Sequence, residues 1–280
     1  MAEREVATIV TGQPTSDGAG VRLTRFIGTP PLDHVDPFLL LDEFKSDRAG
    51  DYVGGFPDHP HRGFETVTYM LAGAMEHRDH VGNRGELVAG SVQWMTAGRG
   101  IIHSEMPRQT DGLLWGFQLW VNLPARDKMT APRYQDIAPE RLPEVGLAEG
   151  ARARVIAGEA GGRKGPVSDI ATRPLYLDVR LAATARVALD VPAGHGAFVC
   201  VYAGGVRLGD PAQAVAAGQL AVLADGNRLT VVGGESEARF LLVAGQPLRE
   251  PIARYGPFVM NTRAEILEAV EDYQRGTLAR

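Results

Sequence analysis

The sequence predicts an all-β protein made of two small barrels. Its 280 residues include 34 glycines and 18 prolines, which separate short runs rich in Val, Leu, Phe and Trp. Many short apolar runs bounded by Gly and Pro are typical of a sandwich or a small barrel rather than of alternating strands and helices. A weak internal repeat favours two barrels of one kind: residues 70–73 resemble 201–204, and residues 88–98 resemble 216–226.

Candidate strands follow one another through both halves of the chain. In the first half they cover residues 5–11, 21–28, 38–44, 65–72, 74–79, 85–88, 92–96 and 113–123. In the second half they cover residues 151–156, 175–181, 186–191, 197–203, 219–223, 228–232 and 238–244. Prolines among charged residues over 124–143 indicate a linker. We therefore predict two domains, residues 1–132 and residues 133–280.

One helix is predicted near the end of the second domain. Thr262 and Glu265 have the spacing of a capping box, in which each side chain bonds the other residue's backbone N–H. An apolar stripe follows the capping box, and we expect it to pack on a barrel. The stripe comprises Ile266, Leu267, Val270 and Tyr273.

The overall composition excludes some classes of partner. The formal net charge is −5 and the pI is near 5.8, so direct nucleic-acid binding has no electrostatic support. The single cysteine, Cys200, rules out an internal disulfide, and its apolar neighbours indicate a small buried side chain. Residues 1–7 lack the apolar core of a signal peptide, and no run approaches the ~20 apolar residues of a membrane span. We expect a cytoplasmic protein with no membrane partner.

Five of the seven histidines lie within residues 54–107, and three of them belong to two close pairs. His59 and His61 form one pair, and His103 and Glu105 form the other. Residues i and i+2 of a strand point to one face, so each pair can aim two donor atoms at one point. Two such strands facing each other in a barrel would surround one metal ion with three imidazoles and one carboxylate.

Nitrogen and oxygen donors of this kind suit Fe, Mn, Co, Ni, Cu or Zn without selecting strongly among them. A His-x-His pair alone is a weak signal, since two surface histidines give the same pattern. His77 and His80 either line the cavity or hydrogen-bond groups behind the ligands, but exposed turn positions are favoured for both. Glu65 and Glu76 lie either behind the ligands or on the solvated surface, and the surface is the commoner position.

Four segments resemble the pirin family of the cupin superfamily. They are GFPDHPHRGFETVTY at 55–69, QWMTAGRGIIHSEMP at 93–107, QLWVNL at 118–123 and GPFVMNT at 256–262. The resemblance covers nearly the whole chain. It implies a bicupin, two β-barrels of the jelly-roll type in one chain, with one metal, expected to be Fe(II), in the first barrel. His59, His61, His103 and Glu105 fall on the family's metal ligands, whereas Glu65 has the position of the carboxylate in other cupins.

The second barrel is predicted to hold no metal. Aligning the repeat at its glycines places Asp190 and Pro192 at the first pair, and Val231 and Gly233 at the second. His195, the one histidine in this half, is out of register.

The resemblance implies an enzyme like quercetin 2,3-dioxygenase. Such an enzyme opens the heterocyclic ring of a flavonol with O₂ and releases carbon monoxide. Glu105 would be a metal ligand and the general base that accepts the flavonol hydroxyl proton. Candidates for the apolar pocket are Phe56, Met95, Trp94 and Phe117.

Two alternatives remain. Pirins of animals bind transcription regulators, and bacterial relatives have metabolic enzymes as partners, so a metal-dependent interaction protein without turnover is the first. A cupin isomerase or decarboxylase with a non-redox metal is the second. The family suggests a monomer.

Overall fold

The structure is a computed structural model describing residues 2–279, which contain 26 β-strands, three 3-10 turns and one α-helix. The strands are β1 (Val6–Thr11), β2 (Gln13–Asp17), β3 (Val21–Ile27), β4 (Phe38–Ser46), β5 (Phe56–His61), β6 (Phe64–Ala72), β7 (Ala74–Asp79), β8 (Arg84–Val88), β9 (Val92–Thr96), β10 (Ile101–Pro107), β11 (Leu114–Asn122), β12 (Arg133–Ile137), β13 (Glu144–Ala148), β14 (Ala151–Ala157), β15 (Glu159–Ala160), β16 (Arg163–Lys164), β17 (Leu175–Leu181), β18 (Arg186–Asp190), β19 (Gly196–Ala203), β20 (Gly205–Leu208), β21 (Gln213–Ala216), β22 (Gln219–Leu223), β23 (Arg228–Gly233), β24 (Ala238–Gly245), β25 (Ala253–Tyr255) and β26 (Phe258–Met260). The 3-10 turns are Ala49–Asp51, Ala125–Asp127 and Pro139–Arg141, and the helix α1 is Arg263–Gln274. The predicted all-β class with one late helix is confirmed.

The chain forms two compact units. The first barrel contains residues 14–27, 38–139 and 248–279, and the second barrel contains residues 2–13, 28–37 and 140–247. The predicted division at 132/133 therefore needs correction, since it gave each barrel one continuous half of the chain. Strand β12 and the segment 248–279, which includes α1, belong to the first barrel, while β1 belongs to the second.

The two barrels share one strand order. The first has a seven-stranded sheet, β12-β9-β6-β11-β4-β3-β2, and a four-stranded sheet, β5-β10-β7-β8. The second has the sheets β1-β22-β19-β24-β17-β14-β13 and β18-β23-β20-β21. Each strand of these two sheets has its counterpart in the other barrel, and β1 takes the edge position that β12 has in the first. An edge strand pairs through its backbone, so a segment distant in sequence can fill the place.

The interior of the second barrel is apolar. Val231, predicted to replace a ligand, is fully buried in this core, and Leu189 is 3% exposed. Further members of the core are Val155, Leu177, Val199, Leu229 and Leu242. That this barrel binds no metal stays a prediction, to which the aliphatic filling gives a physical basis.

Buried Arg62 attaches the segment 248–279 to the first barrel. Its guanidinium donates to Asp272 Oδ2 at 2.8 Å and to the Leu278 carbonyl at 3.2 Å. Its Nε also donates to the carbonyl of Arg99, in the loop before β10. Because Arg62 directly follows His61, these bonds hold the backbone next to the first histidine pair.

Lys128 makes a second attachment to the same segment. Its ammonium is 1% exposed and donates to the carbonyls of Gly63 and Val259 and to Asn122 Oδ1, at 2.8, 3.0 and 2.7 Å. Gly63 has a φ of +89°, and a Cβ there would lie 2.0 Å from the Val259 carbonyl oxygen. Glycine is therefore required where this segment crosses the chain after β5.

Helix α1 begins at the predicted capping box. Thr262 Oγ1 accepts from the backbone N–H of Glu265, and Glu265 Oε2 accepts from that of Thr262. The predicted stripe is only partly right, because Leu267 and Tyr273 are 55% and 42% exposed. Consecutive helical residues point about 100° apart, so Leu267 turns away when Ile266 is buried. None of the helices within residues 2–279 has the length and apolar character needed to cross a membrane.

Candidate metal centre

The pairing of β5 with β10 brings the two sequence pairs together. His59 lies opposite His103 in this antiparallel pair. Alternation along each strand places His61 beside His59 and Glu105 beside His103 on the same face. One donor atom from each of His59, His61 and His103 lies within 4.8 Å of the others. The described residues contain one histidine cluster of this kind, and it is placed to hold a metal ion.

The nitrogen atoms of the cluster fit a metal. His61 Nδ1 and His103 Nε2 are buried without a hydrogen-bond partner, although a buried polar atom ordinarily has one. His59 Nδ1 bonds the Pro57 carbonyl at 2.8 Å, which leaves Nε2 as its donor atom. Burial, with the neighbouring histidines, holds the pKa of His61 and of His103 well below 6.5. These imidazoles are therefore neutral at pH 7, the form that binds a metal.

Glu105 is buried next to the cluster but is not one of its three members. Its Oε1 accepts from Thr68 Oγ1 at 2.9 Å, and its Oε2 accepts from Gln118 Nε2 at 2.9 Å. Each carboxylate oxygen has further lone pairs, so these bonds orient Glu105 while leaving it able to accept more. Its role as fourth ligand stays a prediction.

A cavity of about 400 Å³ lies next to the histidine cluster and Glu105. His59, His61 and Glu105 line it, and a volume of this size suits a small organic ligand. The apolar part of the wall comprises Leu23, Leu40, Phe44, Phe56, Met75 and Trp120. The charged part of the wall comprises Asp17, Arg25, Asp42 and Arg254.

One of the four predicted pocket residues lines this cavity. Phe56 does, whereas Met95, Trp94 and Phe117 are buried outside its lining. Gln93 and Gln118 lie opposite Thr68, which faces Glu105. Trp94 and Phe117 are each one residue away from these positions, so they point to the other face of the sheet. Met95 packs instead in a small apolar cluster with Ala97 and Ile101.

Neither of the other two acids belongs to the cluster. Glu65 lies three residues before Thr68 on β6, so their side chains point to opposite faces of the strand. Because Thr68 bonds Glu105, Glu65 points away from the histidines. It is buried, accepts from Thr96 Oγ1 at 2.7 Å, and burial raises its pKa to about 6. Glu76 is 7% exposed and pairs with Arg78, Arg84 and Arg108. The alternative of a solvated surface position is thus wrong for both acids.

The other two histidines have different environments. His77 is 2% exposed, and its Nδ1 lies 3.2 Å from His103 Nδ1. Its Nε2 lies 2.9 Å from the hydroxyl of Tyr134, a residue that the sequence analysis missed. Tyr134 was missed because β12 falls in the stretch read as a linker. His80 is exposed and bonds the carbonyl of Ala279 at 3.1 Å.

Fold and site together define a bicupin whose first barrel is equipped for a metal. Two family models match the chain: Pirin over residues 20–121, and the Pirin C-terminal cupin domain over residues 176–279. The chain belongs to the pirin family.

Relatives match over nearly the whole length. A Pseudomonas aeruginosa protein provisionally named quercetin 2,3-dioxygenase is 51% identical, with 99% of this chain and 98% of that one covered. Human pirin is 43% identical, with 98% of this chain and 93% of that one covered. A crystal structure of quercetin 2,3-dioxygenase from Acinetobacter baumannii has a TM-score of 0.91 at 36% identity, covering 99% of both chains.

Proposed function

We propose that this protein is a metal-dependent dioxygenase that opens the heterocyclic ring of a flavonol such as quercetin. The observation that carries the proposal is the cavity of about 400 Å³ with two cluster histidines and an oriented carboxylate in its wall. Similarity to proteins named for this activity agrees with the proposal. The reaction consumes one flavonol and one O₂ and yields a ring-opened ester and carbon monoxide.

We assign the metal, most simply iron, to His59, His61 and His103, with Glu105 as fourth ligand. A redox-capable metal bound there would supply Lewis acidity and electron transfer between substrate and O₂. A metal-bound imidazole is a neutral ligand and the carboxylate adds one negative charge, so the site would carry a net positive charge with a divalent ion. That charge favours the ionised form of the flavonol hydroxyl.

Glu105 would take the proton from the flavonol 3-hydroxyl. Thr68 and Gln118 fix the two oxygens of its carboxylate, so the acceptor has one orientation before substrate enters. The aromatic rings of the substrate would contact the apolar wall around Phe56 and Trp120, from which they exclude water.

The test is oxygen uptake by metal-loaded protein with quercetin, measured for wild type and Glu105→Gln. Removing a general base typically costs about 10²–10⁴-fold in rate, and we expect a loss in this range. Metal affinity, measured separately, reports whether Glu105 is also a ligand. Glu65→Gln is the matched control, since it changes a buried glutamate on the opposite face.

Oxygen uptake in Glu105→Gln equal to that of the wild type would exclude the base role. A fully iron-loaded wild type that binds quercetin but consumes no O₂ would contradict the enzyme and favour the interaction-protein alternative.

A further inference from the structure

Next to His103, and outside the lining of the cavity, lies a line of three further polar side chains. His103 Nδ1 is 3.2 Å from His77 Nδ1, and His77 Nε2 is 2.9 Å from the Tyr134 hydroxyl. The Tyr134 hydroxyl in turn hydrogen-bonds the Asp79 carboxylate. The line thus joins a predicted metal ligand to an acid at the end of β7.

Sheet register explains how these residues meet. On β7, His77 lies opposite Glu105 and Asp79 lies opposite His103 of β10. Alternation places both side chains on the face that carries the cluster. Tyr134 comes from the other sheet, where β12 pairs with β9. The line therefore spans both sheets of the first barrel.

The Asp79 end of the line is fixed. Its Oδ1 accepts from the backbone N–H groups of Val81 and Asn83 at 3.0 and 2.8 Å. Its Oδ2 accepts from Asn83 Nδ2 at 2.7 Å. A carboxylate held in this way is an acceptor in every one of its bonds, so Tyr134 must donate its hydroxyl proton to it.

This anchor sets the direction of each remaining bond. Because Tyr134 donates to Asp79, its oxygen accepts from His77, so His77 carries its proton on Nε2. His77 Nδ1 is then an acceptor, and the Nδ1–H of His103 donates a hydrogen bond to it. In that tautomer His103 Nε2 carries a free lone pair, and Nε2 is the buried atom without a hydrogen-bond partner.

We propose that His77 and Tyr134, anchored at Asp79, are positioning residues that hold His103 in the metal-binding tautomer and strengthen Nε2 as a donor. The inference rests on the metal site of the proposed function, but it does not require turnover. Groups that accept the second N–H of a ligand histidine fix the ring orientation and raise its basicity, and their loss typically costs about 10–100-fold in metal affinity.

The test measures Co(II) binding by competition with a chelator and records the visible spectrum of the bound Co(II). His77→Leu removes the acceptor, and we expect affinity to fall about 10–100-fold with a shifted spectrum. His77→Gln, whose side-chain oxygen can accept the His103 proton, should regain part of that loss. Tyr134→Phe removes a single oxygen atom and should shift the spectrum with a smaller loss of affinity.

His80→Gln is the matched control, because His80 is an exposed histidine of the β7–β8 turn whose ring bonds the backbone of Ile102 and Ala279 but no side chain of the cluster. Its affinity and spectrum should equal those of the wild type. If His77→Leu is misfolded by circular dichroism, Tyr134→Phe and His77→Gln decide the question. Wild-type affinity and spectrum in these variants would overturn the proposed positioning role of His77 and Tyr134. A wild type that binds no Co(II) would overturn it as well. Tight Co(II) binding that depends on His77 in a protein without oxygen uptake would contradict only the proposed function.

Discussion

At the scale of single residues, the site depends on removing imidazoles from water. His61 and His103 are 3% and 1% exposed, and burial lowers the pKa of each. Burial keeps both rings unprotonated where a solvated histidine would begin to bind protons. A metal therefore meets less competition from protons here than it would at surface histidines.

The same burial predicts how stability depends on pH. Below pH 6.5 the unfolded chain protonates these two histidines while the folded metal-free protein does not, so the unfolded state binds more protons. The contribution of these two histidines to the free energy of unfolding should therefore fall as the pH drops below 6.5 and stay level above it. Each histidine contributes at most about 1.4 kcal/mol per pH unit.

Urea unfolding of metal-free protein at several pH values measures this slope. His103→Gln should reduce it by the share of one histidine, whereas His80→Gln, at an exposed position, should leave it unchanged. The attribution to the buried rings fails if the His103→Gln slope equals that of the wild type.

At the scale of strands and helices, alternation decided which expectations succeeded. The i, i+2 spacing of His59 with His61 was enough to predict that both point to one site, because a strand has a period of two. The same rule, applied across β6, would have excluded Glu65. Trp94 and Phe117 failed as pocket residues because the phase of a strand relative to the barrel interior depends on its partners. The pairing of edge strand β12 with β9 could not be predicted either, because it too depends on strands distant in sequence.

The attachment of α1 is measurable at this scale. Asp272 accepts from buried Arg62 at 2.8 Å, and Asp272→Ala would leave that guanidinium without its carboxylate. A hydrogen bond to a charged group is worth about 1.5–3 kcal/mol. Because the Asp272 side chain is 29% exposed, we expect a loss of unfolding free energy near the lower end of that range.

Glu271→Ala is the control on the adjacent residue of α1. Glu271 pairs with Arg275 at 3.2 Å, and both side chains are well exposed, so its loss should cost about 0.5 kcal/mol or less. Equal effects of the two substitutions in urea unfolding would mean that the Arg62 contact contributes no more than a surface ion pair.

At the scale of the whole molecule, each barrel depends on a segment distant from it in sequence. The second barrel uses β1, and the first uses residues 248–279. The internal repeat predicted two similar barrels, and their matching strand orders agree with it. It carried no information on this exchange of segments, because a repeat records similarity and not which strand fills an open edge.

Removing residues 248–280 should therefore abolish metal binding although all predicted ligands remain. The truncation takes away Asp272, the Leu278 carbonyl and the Val259 carbonyl, which leaves Arg62 and Lys128 as buried cations with fewer acceptors. Metal stoichiometry and near-ultraviolet circular dichroism of the truncated chain measure the result. One bound metal per truncated chain would show that the segment is dispensable for the site.

The use of residues 248–279 in the first barrel also affects the order of events during synthesis. Translation produces all three cluster histidines and Glu105 while more than half of the chain is still to be made. Arg62 and Lys128 obtain their last partners only after the second barrel has been translated. We therefore expect a nascent chain to complete the predicted metal site, and to bind an ion there, only after release from the ribosome.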